Sequence, residues 1–248
     1  MKVIILSAGQ GRRLLPLTEN KPKCALDVGG LSMLEAQLQQ IAACAVDEVV
    51  VVTGFRADHV DGIVANSTLA NVRTLYNPFY ALSDNLGTCW VAAGEMQEPF
   101  VILNGDTLFE ARVMTRLLAS PADSAITLAI DRKAAYDDDD MKVVVDGGQL
   151  RRVGKRLTDG VNGESIGMMV FSGDGPGLFT GTVERMMRDE SGTKRWYLSA
   201  IDEIARTNTV HVCDIAGSSW CEVDDAADLE NARRVVASWY ADPVEARA

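Results

Sequence analysis

The succession of apolar and polar positions divides the first part of the chain into alternating elements. Val3 to Ser7 is an apolar run that opens into Ala8-Gly9-Gln10-Gly11, the pattern of a strand buried on both faces that feeds a loop. Leu34, Leu38, Ile41, Ala42 and Ala45 recur at helical spacing and predict a helix over 34–45. Asp47 to Thr53 reads DEVVVVT, a second buried strand that stops at Gly54. A helix around 59–65, a short strand over 72–76, a helix over 86–96 and a strand over 99–103 follow, the last ending at Asn104-Gly105-Asp106. This alternation predicts an α/β fold with a central, mainly parallel sheet flanked by helices. In such sheets the loops after the carboxyl ends of the strands collect the ligand-binding residues. The glycine loop and Asp106 both follow strands, so both are expected on that edge.

Beyond about residue 130 the pattern changes to strands, expected over 125–131, 141–145, 150–153, 165–171, 210–215 and 220–223. Gly147-Gly148 between two of them predicts a tight hairpin. Asp137 to Asp140 is a run of four acids, read as a solvated loop. Asp224 to Ala237 is expected as a helix with Leu229, Ala232, Val235 and Val236 on one face. No repeat, linker or composition shift marks a boundary, so one domain is expected over 1–248.

Composition narrows the function more than the fold. A formal net charge of -11 argues against a broad nucleic-acid footprint, which needs a dense basic face. An acidic chain that handles phosphates must gather its cations locally or let Mg²⁺ bridge carboxylates to phosphate. The five cysteines, Cys24, Cys44, Cys89, Cys213 and Cys221, form no C-x-x-C pair and are expected as free thiols in a reducing compartment. MKVIILSAG is too short for a signal-peptide core, and no segment approaches the roughly 18 apolar residues of a bilayer span. A cytoplasmic protein without membrane or nucleic-acid partners is therefore expected. A homodimer is compatible with the chain, although no residue pattern marks one.

The densest chemistry lies in Leu6-Ser-Ala-Gly9-Gln-Gly11-Arg12-Arg13-Leu-Leu-Pro16-Leu-Thr18, continuing to Lys21-Pro22-Lys23. Gly9 and Gly11 allow the backbone to approach a phosphate, with N–H groups forming an anion nest. Arg13 and Lys23 would follow the charge of a departing pyrophosphate. A dinucleotide fingerprint does not fit. Leu14 stands at its third glycine, and Thr53-Gly54-Phe55-Arg56 ends the second strand without the acid that would hold a ribose. Asp106 in its N-G-D-T turn, and Glu222 and Asp224 in W-C-E-V-D, are either turn and capping acids or ligands of a metal. Trp196 and Tyr197, with Glu164, Asp189 and Glu190, either enclose a cationic head group or pack on the sheet. His59 and His211 sit in ordinary helix and strand patterns.

The N-terminal string resembles the signature L-x-A-G-x-G-x-R-L-x-P-L-T-x-x-x-P-K of the sugar-phosphate nucleotidyltransferase superfamily, with Ser7 where alanine is frequent. Within it the chain is similar to the compact CTP:phosphocholine and CTP:phosphoalcohol cytidylyltransferases, through NPFYALSDN (77–85), Gly105-Asp106-Thr107, Met141-Lys142-Val143, Gly154-Lys155, Gly163-Glu164-Ser-Ile-Gly167 and WCEVDDAADL (220–229). Gly87-Thr88-Cys89 departs from that branch. The resemblance implies one Rossmann-like nucleotidyltransferase domain, with a nucleotide-binding half over about 1–110 and an acceptor-binding half over about 111–240. It implies nucleotide contacts from Ser7, Ala8, Gly9, Gly11, Arg12, Arg13, Lys23, Asn85 and Asp106. One Mg²⁺ is expected on Asp106 and Asp224, with Glu222 as a third ligand. Lys155 is expected on the acceptor phosphate, beside Glu164, Trp196 and Tyr197. Arg13, Lys23 and Lys155 would then be the catalytic cations, and CTP and a phosphocholine-like molecule the substrates.

An ionised phosphate oxygen attacking the α-phosphorus of the triphosphate needs no general base, which agrees with the lack of any Ser-His-Asp or Cys-His set. Two other readings use the same residues: a sugar-1-phosphate nucleotidyltransferase, and a nucleotide-sensing module without catalysis.

Overall fold

The computed structural model describes residues 1–121 and 124–240; the single domain expected over 1–248 extends past these. In chain order the elements are β1 (Lys2–Ser7), α1 (Met33–Ala42), β2 (Glu48–Thr53), α2 (Ala57–Ala65), β3 (Val72–Tyr76), α3 (Asn85–Val91), β4 (Phe100–Asn104), β5 (Thr107–Phe109) and α4 (Ala111–Leu118). Then come β6 (Ile126–Asp131), β7 (Lys142–Asp146), β8 (Gln149–Val153), β9 (Gly163–Phe171), α5 (Gly175–Met187), α6 (Leu198–Ala205), β10 (His211–Asp214), β11 (Trp220–Glu222) and α7 (Ala226–Tyr240).

One nine-stranded sheet runs β3-β2-β1-β4-β9-β6-β10-β8-β7. β1 sits at the centre of its parallel half, with Ile4 opposite Val50 on one side and Ile102 on the other. Val3, Ile4 and Ile5 are buried whichever face they point to and Leu6 is partly buried, which is why the strand reads as a continuous run. β9 turns the sheet mixed, because it lies antiparallel to both β4 and β6. β7 and β8 form the hairpin expected at Gly147-Gly148, both of which have positive φ.

The two faces of the sheet carry separate cores. One gathers Ile4, Phe100, Phe171, Phe179 and Tyr197 under α3, α5 and α6, with the Phe100 and Phe171 rings stacked at 4.4 Å. The other packs Val3, Ile5, Leu34, Ile41 and Phe109 under α1 and α4. α1 starts at a capping box in which Ser32 accepts from Glu35 N–H and Glu35 accepts from Ser32 N–H, satisfying two donors at the helix start.

α4, α5, α6 and β5 answer to no expectation from the sequence. In α5 the residues Gly175, Pro176, Gly177, Thr180, Gly181 and Thr182 are weak helix formers. The helix owes its existence to burial of Phe179, Val183 and Met186 against the sheet. The helix expected over 86–96 ends at Val91 and tightens into a 3-10 turn over Ala93–Glu95.

A third cluster fixes the geometry of the site. Leu14, Leu26, Val28 and Met33, from the loop after β1 and the start of α1, pack against Cys221, Leu229 and Val236. β11 pairs antiparallel with β5, placing Glu222 opposite Thr107, and Val223 N–H donates to the Asp106 carbonyl at 3.2 Å. Segments more than a hundred residues apart in sequence are thereby laid side by side.

Candidate active site

The loop after β1 is shaped by its own residues. Thr18, fully buried, donates its hydroxyl to the Gly11 carbonyl at 2.9 Å, and Leu14 anchors the Arg12–Leu14 3-10 turn. Gly11 has φ 76°, and a Cβ there would lie 2.8 Å from the Lys23 Cβ. At Gly9, by contrast, an added Cβ would meet no protein atom; the fold itself does not demand glycine there, and the open space faces a cavity. Ser7, Gly9, Gly11, Arg12, Arg13 and Lys23 line this cavity of about 370 Å³. Ala8 is placed differently: it is buried and its carbonyl accepts from Phe55 N–H, so its part is to hold the loop onto β2.

Lys23 sits at the floor. Its Nζ lies 2.9 Å from Asp106 Oδ2 and 2.9 Å from Asp224 Oδ1. Burial alone would lower its pKa, but the charges of Asp106 and Asp224, each also hydrogen-bonded to it, outweigh that and hold it above the usual lysine value. Arg13 reaches Asp224 Oδ2 at 2.8 Å and Asp139 at 3.3 Å.

Asp106 is held in place by its neighbours. Gln37 of α1 donates to the carbonyls of Asn104 and Thr107 at 2.9 and 2.8 Å, and Thr107 Oγ1 donates to the Ile166 carbonyl at 2.8 Å. Asp225 accepts from the N–H groups of Ala227 and Asp228 at the start of α7. It takes the capping role, which leaves Asp224 free for the site.

Oxygens of Asp106, Glu222 and Asp224 lie within 4.8 Å of one another. Enclosure first, and then the charges of Asp106 and Asp224, push the Glu222 carboxyl up to about 8. Asp106 Oδ1 is buried without a hydrogen-bond partner, which is costly unless something else satisfies it. Three converging carboxylates with an orphan oxygen fit a hard divalent cation, which prefers oxygen ligands.

Arg13, Asp106 and Asp224 also wall a second cavity of about 190 Å³, together with Asn85, Lys155 and Glu222. Arg13, Asp106 and Asp224 therefore stand where the two spaces meet, with Lys23 on the side of the first and Glu222 on the side of the second. Lys155 Nζ lies 5.1 Å from the centroid of the half-exposed Trp196 ring and 3.6 Å from Asp139 Oδ1. Asn85 lines this cavity and also accepts from Tyr197 N–H at 2.8 Å.

The expected acceptor enclosure is corrected at two positions. Tyr197 is fully buried, packs edge-on against Phe179 and donates its hydroxyl to Asn104 Oδ1 at 3.0 Å; it is a core residue. Glu164, on β9, is buried against Lys133, with Nζ at 3.0 Å, and does not line either cavity. Burial, and then the nearby Asp140, push its carboxyl up to about 7. A carboxyl raised above its unfolded value favours the folded state while protonated, and that contribution fades as pH rises from the ordinary glutamate range to about 7. Glu164→Gln keeps a neutral group there, so the Tm difference between variant and parent is expected to move in the variant's favour from pH 5 to pH 7.5. Calorimetric melts across that range check it; a pH-independent difference would contradict the raised pKa.

Two residues at the site went unnoticed in the sequence. Asp139 belongs to the acidic run read as solvated loop, yet it bridges Arg13 and Lys155. Gln37 could have been found, because it is a polar residue among the buried apolar positions of α1. All five cysteines are free, and no helix among the described residues is long and apolar enough to cross a membrane.

A sheet whose first strand, at the centre of the parallel half, feeds a glycine- and arginine-bearing loop facing carboxylates at the junction of two cavities has the architecture of a nucleotidyl-transferring domain. The chain matches the MobA-like NTP transferase domain over residues 3–242 and belongs to that family. It is 31% identical over 243 residues to the bifunctional IPC transferase and DIPP synthase of Rubrobacter xylanophilus, an alignment covering 96% of this chain and 52% of that protein. It is 23% identical over 254 residues to the CTP:phosphoglutamine cytidylyltransferase of Campylobacter jejuni, covering 93% and 98% of the two chains. The structure of the CTP:phosphocholine cytidylyltransferase from Streptococcus pneumoniae superposes with a TM-score of 0.77 over 95% of this chain and 98% of that one, at 17% identity, and so shares the fold. The chain spans about half the length of the curated relatives with which it aligns first.

Proposed function

We propose that the protein is a Mg²⁺-dependent cytidylyltransferase that joins the CMP part of CTP to a small phosphorylated alcohol or phosphonate and releases pyrophosphate. The observation that carries this reading is the wall shared by the two cavities, Arg13, Asp106 and Asp224, with Lys23 bound to both carboxylates on the first side and Glu222 beside them on the second. The cavity lined by Ser7, Gly9, Gly11 and Arg12 would take the nucleotide, and the one lined by Asn85, Lys155 and Trp196 the acceptor. Mg²⁺ on Asp106, Glu222 and Asp224 would supply charge neutralisation to the phosphates.

Residues of the chain then divide the work. Lys155 orients the acceptor phosphate, one of whose oxygens is the nucleophile. A bond forms from that oxygen to the α-phosphorus while the bond to the bridging α–β oxygen breaks, and its electron pair leaves with the pyrophosphate. Lys23 and Arg13 stabilise the negative charge that builds on the departing group, fixed in advance by their contacts with Asp106 and Asp224. No proton needs to be removed from the nucleophile, so the site functions without a general base. CTP is favoured by likeness to the relatives, two of which carry CTP in their names. A cytoplasmic location accords with five unpaired thiols.

Pyrophosphate release across four nucleoside triphosphates and a panel of phosphorylated alcohols, phosphonates and sugar 1-phosphates tests the reading. Release with CTP and a phosphorylated alcohol or phosphonate, abolished by EDTA, is expected. Release only with a sugar 1-phosphate would overturn the acceptor class and keep the chemistry. No release, with nucleotide binding retained, would favour a sensor.

A further inference from the structure

The acceptor-side cavity of about 190 Å³ has room for little more than a phosphate and a few attached atoms. A far larger cavity, about 1040 Å³, opens beside it, and Met141, Lys155, Trp196 and Leu198 form a wall common to both. Five cations reach this larger space, Lys155, Arg156, Lys194, Arg195 and Arg206, against two acids, Asp202 and Glu203. The chain as a whole has 35 acids to 24 lysines and arginines, so the ratio is reversed here.

Both acids are already committed. Asp202 binds Arg152 at 2.9 Å, Arg206 at 2.7 Å and the Val153 N–H at 2.9 Å, and Glu203 binds Arg185 at 2.7 Å. Arg195 pairs at 3.4 Å with Asp189. Arg156 and Lys194 have no side-chain partner among the described residues. The remaining wall is mainly apolar, from Met141, Val153, Met186 and Leu198, with the hydroxyl residues Ser199 and Thr207 beside them. Lys155 already lies over the Trp196 ring, and its charge opposes a cationic head group there.

We propose that this larger cavity is a subsite for a second acidic group of the acceptor. The protein would then take phosphorylated acceptors that carry a carboxylate or further phosphate at the end remote from the reacting phosphate, joined by a short aliphatic stretch. Arg156 and Lys194 bind the anionic oxygens, and the methionine and leucine side chains cover the stretch between. The identity of the reacting end rests on the transferase reading above; the anion subsite does not.

The test compares 3-phosphoglycerate, glycerol 3-phosphate and phosphocholine, three acceptors of similar size with an anionic, neutral and cationic end, using the nucleotide that supports turnover. KM for 3-phosphoglycerate is expected about tenfold below that for glycerol 3-phosphate, the gain that two charge-assisted contacts at a partly exposed site can give. The double substitution Arg156→Gln, Lys194→Gln should erase this difference and leave KM for the nucleotide unchanged. Equal KM values, a preference for phosphocholine, or a preference that survives the double substitution would overturn the proposal. Calorimetry of 3-phosphoglycerate without nucleotide separates this from the chemistry. If no acceptor releases pyrophosphate, binding that the double variant loses upholds the subsite, whereas no binding, or binding that the variant retains, overturns it.

Discussion

Lys23→Ala is expected to reduce pyrophosphate release by about 10³-fold, the scale of losing one pre-oriented charge at a reacting centre. Among the described residues Lys23 is the one side chain bound to both Asp106 and Asp224, with its aliphatic stem packed under Gly11. Under the proposed function its loss removes a positive charge from the departing pyrophosphate and also leaves three carboxylates with Arg13 as their one cationic contact among the described residues. The second effect has the opposite sign for a divalent metal, since the ammonium and the metal are two cations drawing on the same carboxylates. Turnover should therefore collapse while the Mg²⁺ concentration for half-maximal activity falls. Steady-state kinetics over a Mg²⁺ series reads both, and an unchanged far-ultraviolet spectrum confirms the fold. Turnover close to the parent's would refute the assignment of Lys23 to the leaving group.

The second large effect is expected for Asp106→Asn. The amide fills the same volume and can still accept from Lys23, so the turn clamped by Gln37 should survive. What it removes is charge at the carboxylate whose Oδ1 has no protein partner. A ligand at about a hundred times its Kd stabilises the folded state by about 2.7 kcal/mol, which for a chain of this size is roughly 5–10 °C in Tm. The parent is expected to show an Mg²⁺-dependent rise of that order and the variant little of it, with turnover down by about 10²–10³-fold. A variant that keeps the full thermal shift would place the metal elsewhere.

The parallel half of the sheet was legible in the sequence because β1, β2 and β4 are buried on both faces, and so read as apolar runs that stop at glycine loops. β3 falls on the residues expected, 72–76. Legibility fails where burial in the fold overrides local preference. α5 is the clearest instance, since its glycines and threonines disfavour a helix that burial of Phe179, Val183 and Met186 sustains. At the site, Lys23, Asp106 and Asp224 were legible as residue types in a signature, and the structure brings them within hydrogen-bonding distance. Glu164 and Tyr197 were misread for a different reason. β9 is buried at all nine positions, so alternation offers no clue to which side Glu164 faces. Tyr197 follows the half-exposed Trp196 but points to the opposite side, into the Phe179 core, and adjacent aromatics carry no mark of that division. Asp139 was hidden among like neighbours, where only the fold of the loop decides which acid reaches Arg13.

The pairing of β11 with β5 also has a consequence for the order of events during synthesis. Lys23 and Asp106 leave the ribosome ahead of the residues that complete their surroundings, Glu222 and Asp224, which come more than a hundred positions later. At about 5–20 residues per second that interval is roughly 6–24 s. Throughout it the nascent chain holds the loop after β1 and one carboxylate without the other two. Under the proposed function, a half-made chain would neither assemble a metal site nor spend nucleotide until α7 closes over Leu14 and Met33.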